Sequence, residues 1–550
     1  MKLVYKKKRF FFICSRKNNS IPRKAEFNYN YSGKVWWTND ILKAYKLKEY
    51  ADDLLQKKLE EYINKRQKKI EESYSGYADI DIPAPDEYDY FPFQKAGIKY
   101  SLDRDKVLIA DDMGLGKTIQ VIGVLNSMES VDKVLIVCPN SLKYNWKKEL
   151  ERWLVHDDLT ISVNDMTTFT PANIMIINFD AFKFASNPKN KNFKDPKKGE
   201  FNPTFHLMKD LKKLKKIDVL VVDESHKLKN WSANTTRNIF KLKNQVSRML
   251  FLSGTPIMGK IEELWTTIKI FGFQHVFGRN KDEFMRNWCG ATWNPFMRRY
   301  ESNPDKITDE IFKRLQENLR IHFMIRRTKK QVLKELPEKI RSIVPLQIDR
   351  KYLEQYDHLT QDVVDASKLN NNAESSILSS LRPQQIQEVT EMRKVTGQLK
   401  IMPSYHFIKD MVDAGEKVVV FGHHVEVLEQ LYHKFKKTAV LVKGGIKPED
   451  RQKAVDLFQE SDDINVFIGQ NDVASLGITL TASSNVVIVE SSWTPSINVQ
   501  IEDRCLRYGQ KNAVNVYYLV IDKSIDAHII QTVIRKQDLF DKVIENESIL

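Results

Sequence analysis

The chain has 550 residues, enough for roughly three domains with cores of their own; its 42% hydrophobic and 29% charged make-up is that of a folded globular protein and excludes a wholly disordered one. Lys and Arg outnumber Asp and Glu by 87 to 72, a surplus that suits a polyanionic partner such as nucleic acid. Four scattered cysteines (Cys14, Cys138, Cys289, Cys505) make no C-x-x-C pair, so neither a disulfide framework nor a cysteine zinc site is indicated, and no apolar run approaches the ~18 residues of a membrane span; an intracellular protein is expected.

Residues 1–75 form a distinct accessory segment. Nine Lys/Arg precede the first acid, Glu26. The aromatic group Phe27, Tyr29, Tyr31, Trp36 and Trp37 follows, and then a charged helix predicted around 39–72. The apolar run Phe10–Cys14 is too short for a signal peptide and is followed by Ser15-Arg16-Lys17. Aromatics interleaved with cations stack on bases while binding phosphates; the same composition also builds a small core with basic decoration. The stretch "DIDIPAPDEYDYFPF" (79–93), rich in prolines and acids, reads as a linker.

Four short Val/Ile-rich runs come next: "KVLIVCP" (133–139), "DVLVVDE" (218–224), "KVVVFGHH" (417–424) and "NVVIVESS" (485–492). They are too short for helices and too continuously apolar for half-exposed strands. Buried parallel strands of doubly wound α/β domains fit them. They predict one α/β domain over 85–275 and a second over 401–550. Between these, 276–400 reads as a helical insertion and linker with a polar loop at 368–376. The lysine-rich stretch 183–216 reads as a surface loop that either contacts DNA or serves as a spacer.

Three stretches carry chemistry. "KVLIADDMGLGKTIQVIGVL" (106–125) reads as strand, glycine turn, helix, the setting in which backbone N–H groups at a helix start face phosphates. Asp111 stands where the usual phosphate loop has its first glycine. Asp111, Asp112, Met113, Gly114, Leu115, Gly116, Lys117 and Thr118 are the expected nucleotide-binding residues, with Lys117 on the β/γ oxygens and the Thr118 hydroxyl on Mg2+. "DVLVVDESH" puts Asp223 at a strand end to hold that metal and Glu224 beside it to activate water. In "QIEDRCLRYGQ" (500–510), Arg504 and Arg507 share a face if the segment is helical; they act as arginine fingers or pair with Glu502 and Asp503 on a surface helix.

In order along the chain, these pieces resemble the SWI/SNF-type ATPases of helicase superfamily two. "FPFQKAGIKY" resembles the adenine-reading segment, with Gln94 its glutamine, and "DDMGLGKT" resembles motif I in the form that lacks the first glycine. "VCPNSLKYNWKKEL" (137–150), "IINFDAF" (176–182), "DESHKLKN" (223–230, with His226) and "LSGTP" (252–256) are similar to motifs Ia, Ib, II and III. "VVVFGHH", the stretch 471–495 with Gly477, and 500–510 are similar to motifs IV, V and VI. Departures fall at Asp112 for Glu, Leu506 for His, Tyr508 for Ile, and Ala474-Ser475-Leu476 before Gly477. The N-terminal text and "MRKVTGQLK" (392–400) are most like the annealing-helicase (HARP-related) branch.

The resemblance implies an α/β fold of two RecA-like doubly wound parallel-sheet lobes, with helical insertions and a small N-terminal accessory domain. It implies ATP and Mg2+ as cofactors, Gln94 and Gly477 in the nucleotide site, and Lys117, Asp223, Glu224, Arg504 and Arg507 as the catalytic set. The expected activity is DNA-stimulated ATP hydrolysis driving translocation on duplex, forked or branched DNA, gripped mainly through phosphates, with no membrane role. The alternatives are a strand-separating helicase and a nucleic-acid-binding scaffold with a vestigial ATPase.

Overall fold

The computed structural model describes residues 1–164, 169–183, 203–257, 260–303, 306–348, 383–471, 478–492, 495–522, 524, 526–527 and 530. Gly477, the polar stretch 368–376 and residues 184–202 of the lysine-rich stretch lie outside them. The chain divides into two compact units, Met1–Ser75 and Gly76–Leu550.

The first unit is a four-stranded antiparallel sheet of β1 (Lys2–Lys6), β2 (Arg9–Ile13), β3 (Asn28–Asn30) and β4 (Val35–Thr38), ordered β1-β2-β4-β3. Along β2 burial alternates: Phe10 and Phe12 point inward while Arg9 and Ile13 face solvent, the period of a strand with one covered face. The core also takes in Leu3, Phe27, Trp36 and Leu59. Part of the aromatic group is therefore core, whereas Tyr31 is exposed and Arg9 lies 4.5 Å over the Trp37 ring. The single helix expected over 39–72 is two helices. Asp40 caps Ile41–Tyr45 through Leu42 N at 2.8 Å, and Asp52 caps Asp53–Tyr74 through Leu55 N at 2.9 Å. A second capping aspartate inside the charged run is the physical reason for the break.

The second unit holds two parallel sheets. The first is ordered β13-β5-β10-β9-β6-β8-β7 from β5 (Lys106–Ile109), β6 (Val134–Cys138), β7 (Ile161–Val163), β8 (Ile174–Asn178), β9 (Ile217–Val222), β10 (Val246–Leu252) and β13 (Met324–Ile325). A separate hairpin joins β11 (Thr292–Asn294) to β12 (Arg299–Glu301). The second sheet is ordered β14-β19-β18-β15-β17-β16 from β14 (Lys339–Leu346), β15 (Val418–Gly422), β16 (Ala439–Val442), β17 (Val466–Gln470), β18 (Asn485–Ile488) and β19 (Val514–Ile521). Both faces of each sheet are covered. Val107 and Ile109 enter one core and Leu108 the other; Val419 and Phe421 likewise oppose Val418 and Val420. Burial on two faces explains why these strands read as unbroken apolar runs. This is the expected pair of doubly wound lobes.

Three features differ from the sequence reading. Within the lysine-rich stretch read as a surface loop, Pro203–Lys213 is a helix whose Leu207, Met208 and Leu211 are buried in the core of the first lobe. The stretch 276–400 is helical at Lys281–Trp288, Asp309–His322 and Pro383–Asp413, yet it also gives each sheet an edge strand, β13 and β14. Two residues are too few for a pattern, and β14 is largely solvent-facing, so neither carries the buried-run signature. The 79–93 stretch, read as a linker, is docked on the first lobe. Asn126 Nδ2 donates to Pro83 O (3.1 Å) and to the Tyr90 hydroxyl (3.1 Å), and Tyr88 stacks on Trp153 at 4.9 Å. Among the described residues no helix is long and apolar enough to cross a membrane.

Candidate active site

β10 pairs with β5 on one side and β9 on the other, all parallel, so their carboxyl ends lie together. That topology gathers the 110–118 loop, Ser253-Gly254 and Asp223-Glu224 at one edge, where open α/β sheets bind ligands.

The loop after β5 turns on two glycines in the left-handed region, Gly114 (φ 85°) and Gly116 (φ 67°), and Gly116 leads directly into the helix Lys117–Asn126. A Cβ on Gly116 would sit 2.4 Å from Gln94 Nε2. Gln94, buried, accepts from Phe91 N at 3.0 Å and so fixes the start of the helix Pro92–Leu102 against the loop. Lys117 Nζ donates to the carbonyls of Asp111 (2.8 Å) and Asp112 (3.1 Å). Burial lowers its pKa, while Glu224, Asp111 and Asp223 favour its charge. Met113 lies against Gly254, where a Cβ would approach its Cγ to 2.7 Å, and Leu115 is buried.

The two aspartates of this loop face inward. Asp111 is wholly buried: Arg327 donates to both its oxygens and Gln120 Nε2 to Oδ2 at 2.9 Å. Asp112 Oδ1 pairs with Arg326 Nη2 at 2.6 Å and Oδ2 accepts from Lys329 N at 2.8 Å. Their side chains serve the scaffold beneath the phosphate loop, and their carbonyls hold Lys117.

Asp223 directly follows β9, with Oδ2 accepting from Trp146 Nε1 (2.9 Å) and Oδ1 from Glu224 N (2.8 Å). Burial and the neighbouring Glu224 push its pKa up to about 6. Glu224 itself adopts φ 51°, a left-handed conformation that costs a non-glycine residue about 1–3 kcal/mol and is concentrated at functional sites. Burial acts to raise its pKa, but His226, Lys117 and Arg504 outweigh that and hold it low. His226 Nδ1 lies 3.2 Å from Glu224 Oε2 and 3.1 Å from Ser253 Oγ, tying motif II to motif III. The buried Asp223 carboxylate and the half-buried Glu224 next to it, with Thr118 in the first turn of the helix Lys117–Asn126, supply the hard-oxygen donors that Mg2+ takes; it uses one or two protein carboxylates and completes its shell with phosphates and water.

Across from the phosphate loop, the helix Pro495–Glu502 stops before the arginines. The condition for a shared helical face is not met: Arg504 and Arg507 lie in the turn that follows. Arg504 is buried, its carbonyl accepts from Leu480 N (2.9 Å), and Arg507 Nη1 donates to Thr479 Oγ1 (2.8 Å). Burial and Arg507 pull the Arg504 pKa down to about 9, while Asp503 and Glu224 pull it up. Arg507 Cγ lies 3.8 Å from where a Gly114 Cβ would stand, so the arginine turn is seated on the phosphate loop. At the rim, Phe91 of the first lobe meets Tyr508 of the second at 5.3 Å between ring centroids. The structure thus brings together Gln94, the 111–118 loop, Asp223, Glu224, Arg504 and Arg507; Gly477 lies outside the described residues.

Sequence reasoning missed Trp146, Gln120, Arg326, Arg327 and Lys329. Trp146 lay inside a recognised motif without a role. The "RRTKK" run (326–330) looks like any solvated basic stretch, and only its position after the short apolar "MI" hints that it enters a sheet.

Residues 93–396 match the model of the SNF2-related domain, and 399–509 match the helicase conserved C-terminal domain. The human DNA annealing helicase and endonuclease ZRANB3 is 28% identical over 79% of this chain and 38% of its own length. A Caenorhabditis elegans homolog of SWI/SNF-related matrix-associated actin-dependent regulator of chromatin subfamily A-like protein 1 is 30% identical over 82% of this chain and 61% of its own. This chain therefore spans less than two thirds of the length of either relative. A Sulfolobus solfataricus SWI2/SNF2 ATPase core in complex with dsDNA aligns with 86% of this chain and 96% of that chain, at 19% identity and a TM-score of 0.37.

Proposed function

The chain belongs to the SNF2-related family, and on that premise we propose that it hydrolyses ATP between its two lobes and couples the cycle to movement along, or remodelling of, duplex or branched DNA. The observation that carries this reading is the seating of the Arg504–Arg507 turn on the Gly114–Thr118 loop, opposite Asp223 and Glu224. Every charge that phosphoryl transfer needs is then within one cleft. Lys117 and the loop amides bind the β- and γ-phosphates, Glu224 orients the attacking water, and the arginines meet charge that develops on the γ-phosphate. Thr118 and Asp223 would hold Mg2+, which would supply neutralisation of phosphate charge. Gln94 and Phe91 flank the base.

DNA as the partner is supported by the net charge of +15 and by the relatives, one of which is named a DNA annealing helicase. In this reading residues 1–75 are an accessory unit whose exposed Tyr31 and Arg9–Trp37 pair contact nucleic acid, and 85–275 and 401–550 are the two motor lobes. Binding through phosphates makes affinity fall steeply with salt.

The test is ATP turnover measured side by side without nucleic acid and with single-stranded, duplex, forked and RNA ligands, for the wild type, Lys117→Ala and Glu224→Gln. Stimulation by duplex or forked DNA, lost in both variants while DNA binding persists, supports the proposal. Turnover indifferent to every ligand, or undiminished in Lys117→Ala, rejects it. Displacement of a forked strand in the presence of a trap turns the reading toward strand separation.

A further inference from the structure

Lys329 lies on the connection between the lobes, as the first residue of a short helix, Lys329–Val332, that Thr328 caps through Gln331 N at 3.3 Å. Its two ends are committed to different motifs. The backbone N donates to Asp112 Oδ2 at 2.8 Å, and its Cε lies 3.5 Å from where a Gly114 Cβ would stand, so the main chain and stem rest on the phosphate loop. The ammonium reaches the other way. Nζ donates to Leu506 O at 2.7 Å and pairs with Asp503 Oδ2 at 3.0 Å. Asp503 and Leu506 bracket the turn that presents Arg504 and Arg507. Both Lys329 and Asp503 are buried, and the second oxygen of Asp503 takes Lys339 Nζ at 3.0 Å. Lys339 continues to Glu502 (2.8 Å), which Arg341 and the Tyr518 hydroxyl (2.7 Å) complete.

We infer that Lys329 is a positioning residue for the ATPase reaction: a latch that holds the arginine turn of the second lobe in register with the phosphate loop of the first. The inference rests on the proposed ATPase reading for its consequence, though not for its geometry. A buried lysine bonded to a main-chain carbonyl and a carboxylate in one lobe, and anchored by its own backbone to a carboxylate in the other, fixes the spacing between them. Removing the ammonium frees the turn by one of its two ionic tethers and leaves Leu506 O without that donor. The arginines then sample positions away from the phosphates, and catalytic groups displaced by about 1 Å lose roughly a hundredfold in rate. Ground-state nucleotide binding, carried by Lys117 and the loop amides, is left largely intact.

The experiment uses Lys329→Met and, to retain a donor while removing the charge, Lys329→Gln, in the full chain. Three readouts are taken: DNA-stimulated turnover, affinity for a fluorescent ATP analogue, and amide hydrogen exchange over 503–510 without nucleotide. The expected result is a roughly hundredfold lower kcat with nucleotide affinity changed less than about threefold, and faster exchange at 503–510. In an Arg507→Ala background the same substitutions add little further loss, because the latch acts through the arginine turn; losses that multiply in full overturn the inference. So does unchanged exchange at 503–510. If the wild type hydrolyses no ATP with any DNA, the proposed function fails, and the exchange experiment alone decides the latch: faster exchange in the variants upholds it, equal exchange removes it.

Discussion

Arg327 donates to both carboxylate oxygens of Asp111, through its backbone N and Nε to Oδ1 at 3.0 Å each and through Nη2 to Oδ2, and solvent reaches neither side chain. The pair fastens the end of β5, where the phosphate loop begins, to the chain leaving β13. Breaking a buried pair by deleting one partner strands the other charge in a low-dielectric interior, at a cost of about 3–5 kcal/mol. Asp111→Ala is expected to lose that much in urea unfolding of the first lobe. A loss under about 1 kcal/mol would make the contact a minor one.

The same pair sets an acid limit. Burial pushes the Asp111 pKa up, but the charge and hydrogen bonds of Arg327 outweigh it and hold the carboxyl below its ordinary value. A folded-state pKa below the unfolded one, near 3.9, gives stability that is present in full above about pH 5. That stability is lost as pH falls through the folded value. The stability gap between wild type and Asp111→Asn should therefore be constant from pH 7 to about 5 and shrink below about 4. A gap that widens on acidification would contradict the assigned charge state.

Gly97 lies inside the helix Pro92–Leu102, where replacing glycine by alanine ordinarily stabilises by about 1 kcal/mol. Here the sign inverts. A Cβ would stand 1.9 Å from Gln120 Oε1 and 2.6 Å from Arg327 Nη2, and those two groups are themselves bonded at 2.9 Å. Gly97→Ala must push one of them off Asp111, and is expected to destabilise by about 1–3 kcal/mol in the same unfolding measurement. A stabilised variant would show that the network yields at little cost.

What the sequence made legible follows from what each residue's neighbours are. Lys117, Asp223 and Glu224 follow buried strands in the chain itself, so their place at the carboxyl edge of the first sheet could be read from local pattern. The strands of both lobes were visible because burial on two faces writes an unbroken apolar run. Arg326, Arg327 and Lys329 were invisible because their partners, Asp111, Asp112 and Asp503, are far away in sequence, and a basic run has the same composition whether solvated or buried. For Arg504 and Arg507 the sequence left the local structure conditional on a helix, since a three-residue spacing is equally available to the turn in which they lie.

Arg507 touches the phosphate loop through its stem and is held by Thr479 at 2.8 Å, and in the proposed reaction it acts on the γ-phosphate in the transition state. Arginine fingers contribute about a thousandfold or more to turnover. Arg507→Ala is expected to lower kcat by about that factor while ATP affinity, measured by equilibrium binding, changes far less. Equal losses in both quantities would assign Arg507 to substrate binding and not to the transition state.

Trp146 is 1% exposed and gives its indole N–H to Asp223 Oδ2, so a residue with no chemistry of its own orients the carboxylate proposed to hold the metal. Trp146→Phe preserves most of the packing and deletes only the donor. Asp223 then loses one of the hydrogen bonds that favour its charged form, in a site where burial and Glu224 already push it up. Groups that orient a metal-ligating carboxylate typically contribute about 10–100-fold in metal affinity. ATP turnover titrated with Mg2+ should need about tenfold more metal for half-saturation in Trp146→Phe, with much of the rate restored when Mg2+ is in excess. An unchanged Mg2+ requirement, with the variant folded as judged by its unfolding midpoint, would mean that the indole merely fills space and that Asp223 needs no help to face the cleft.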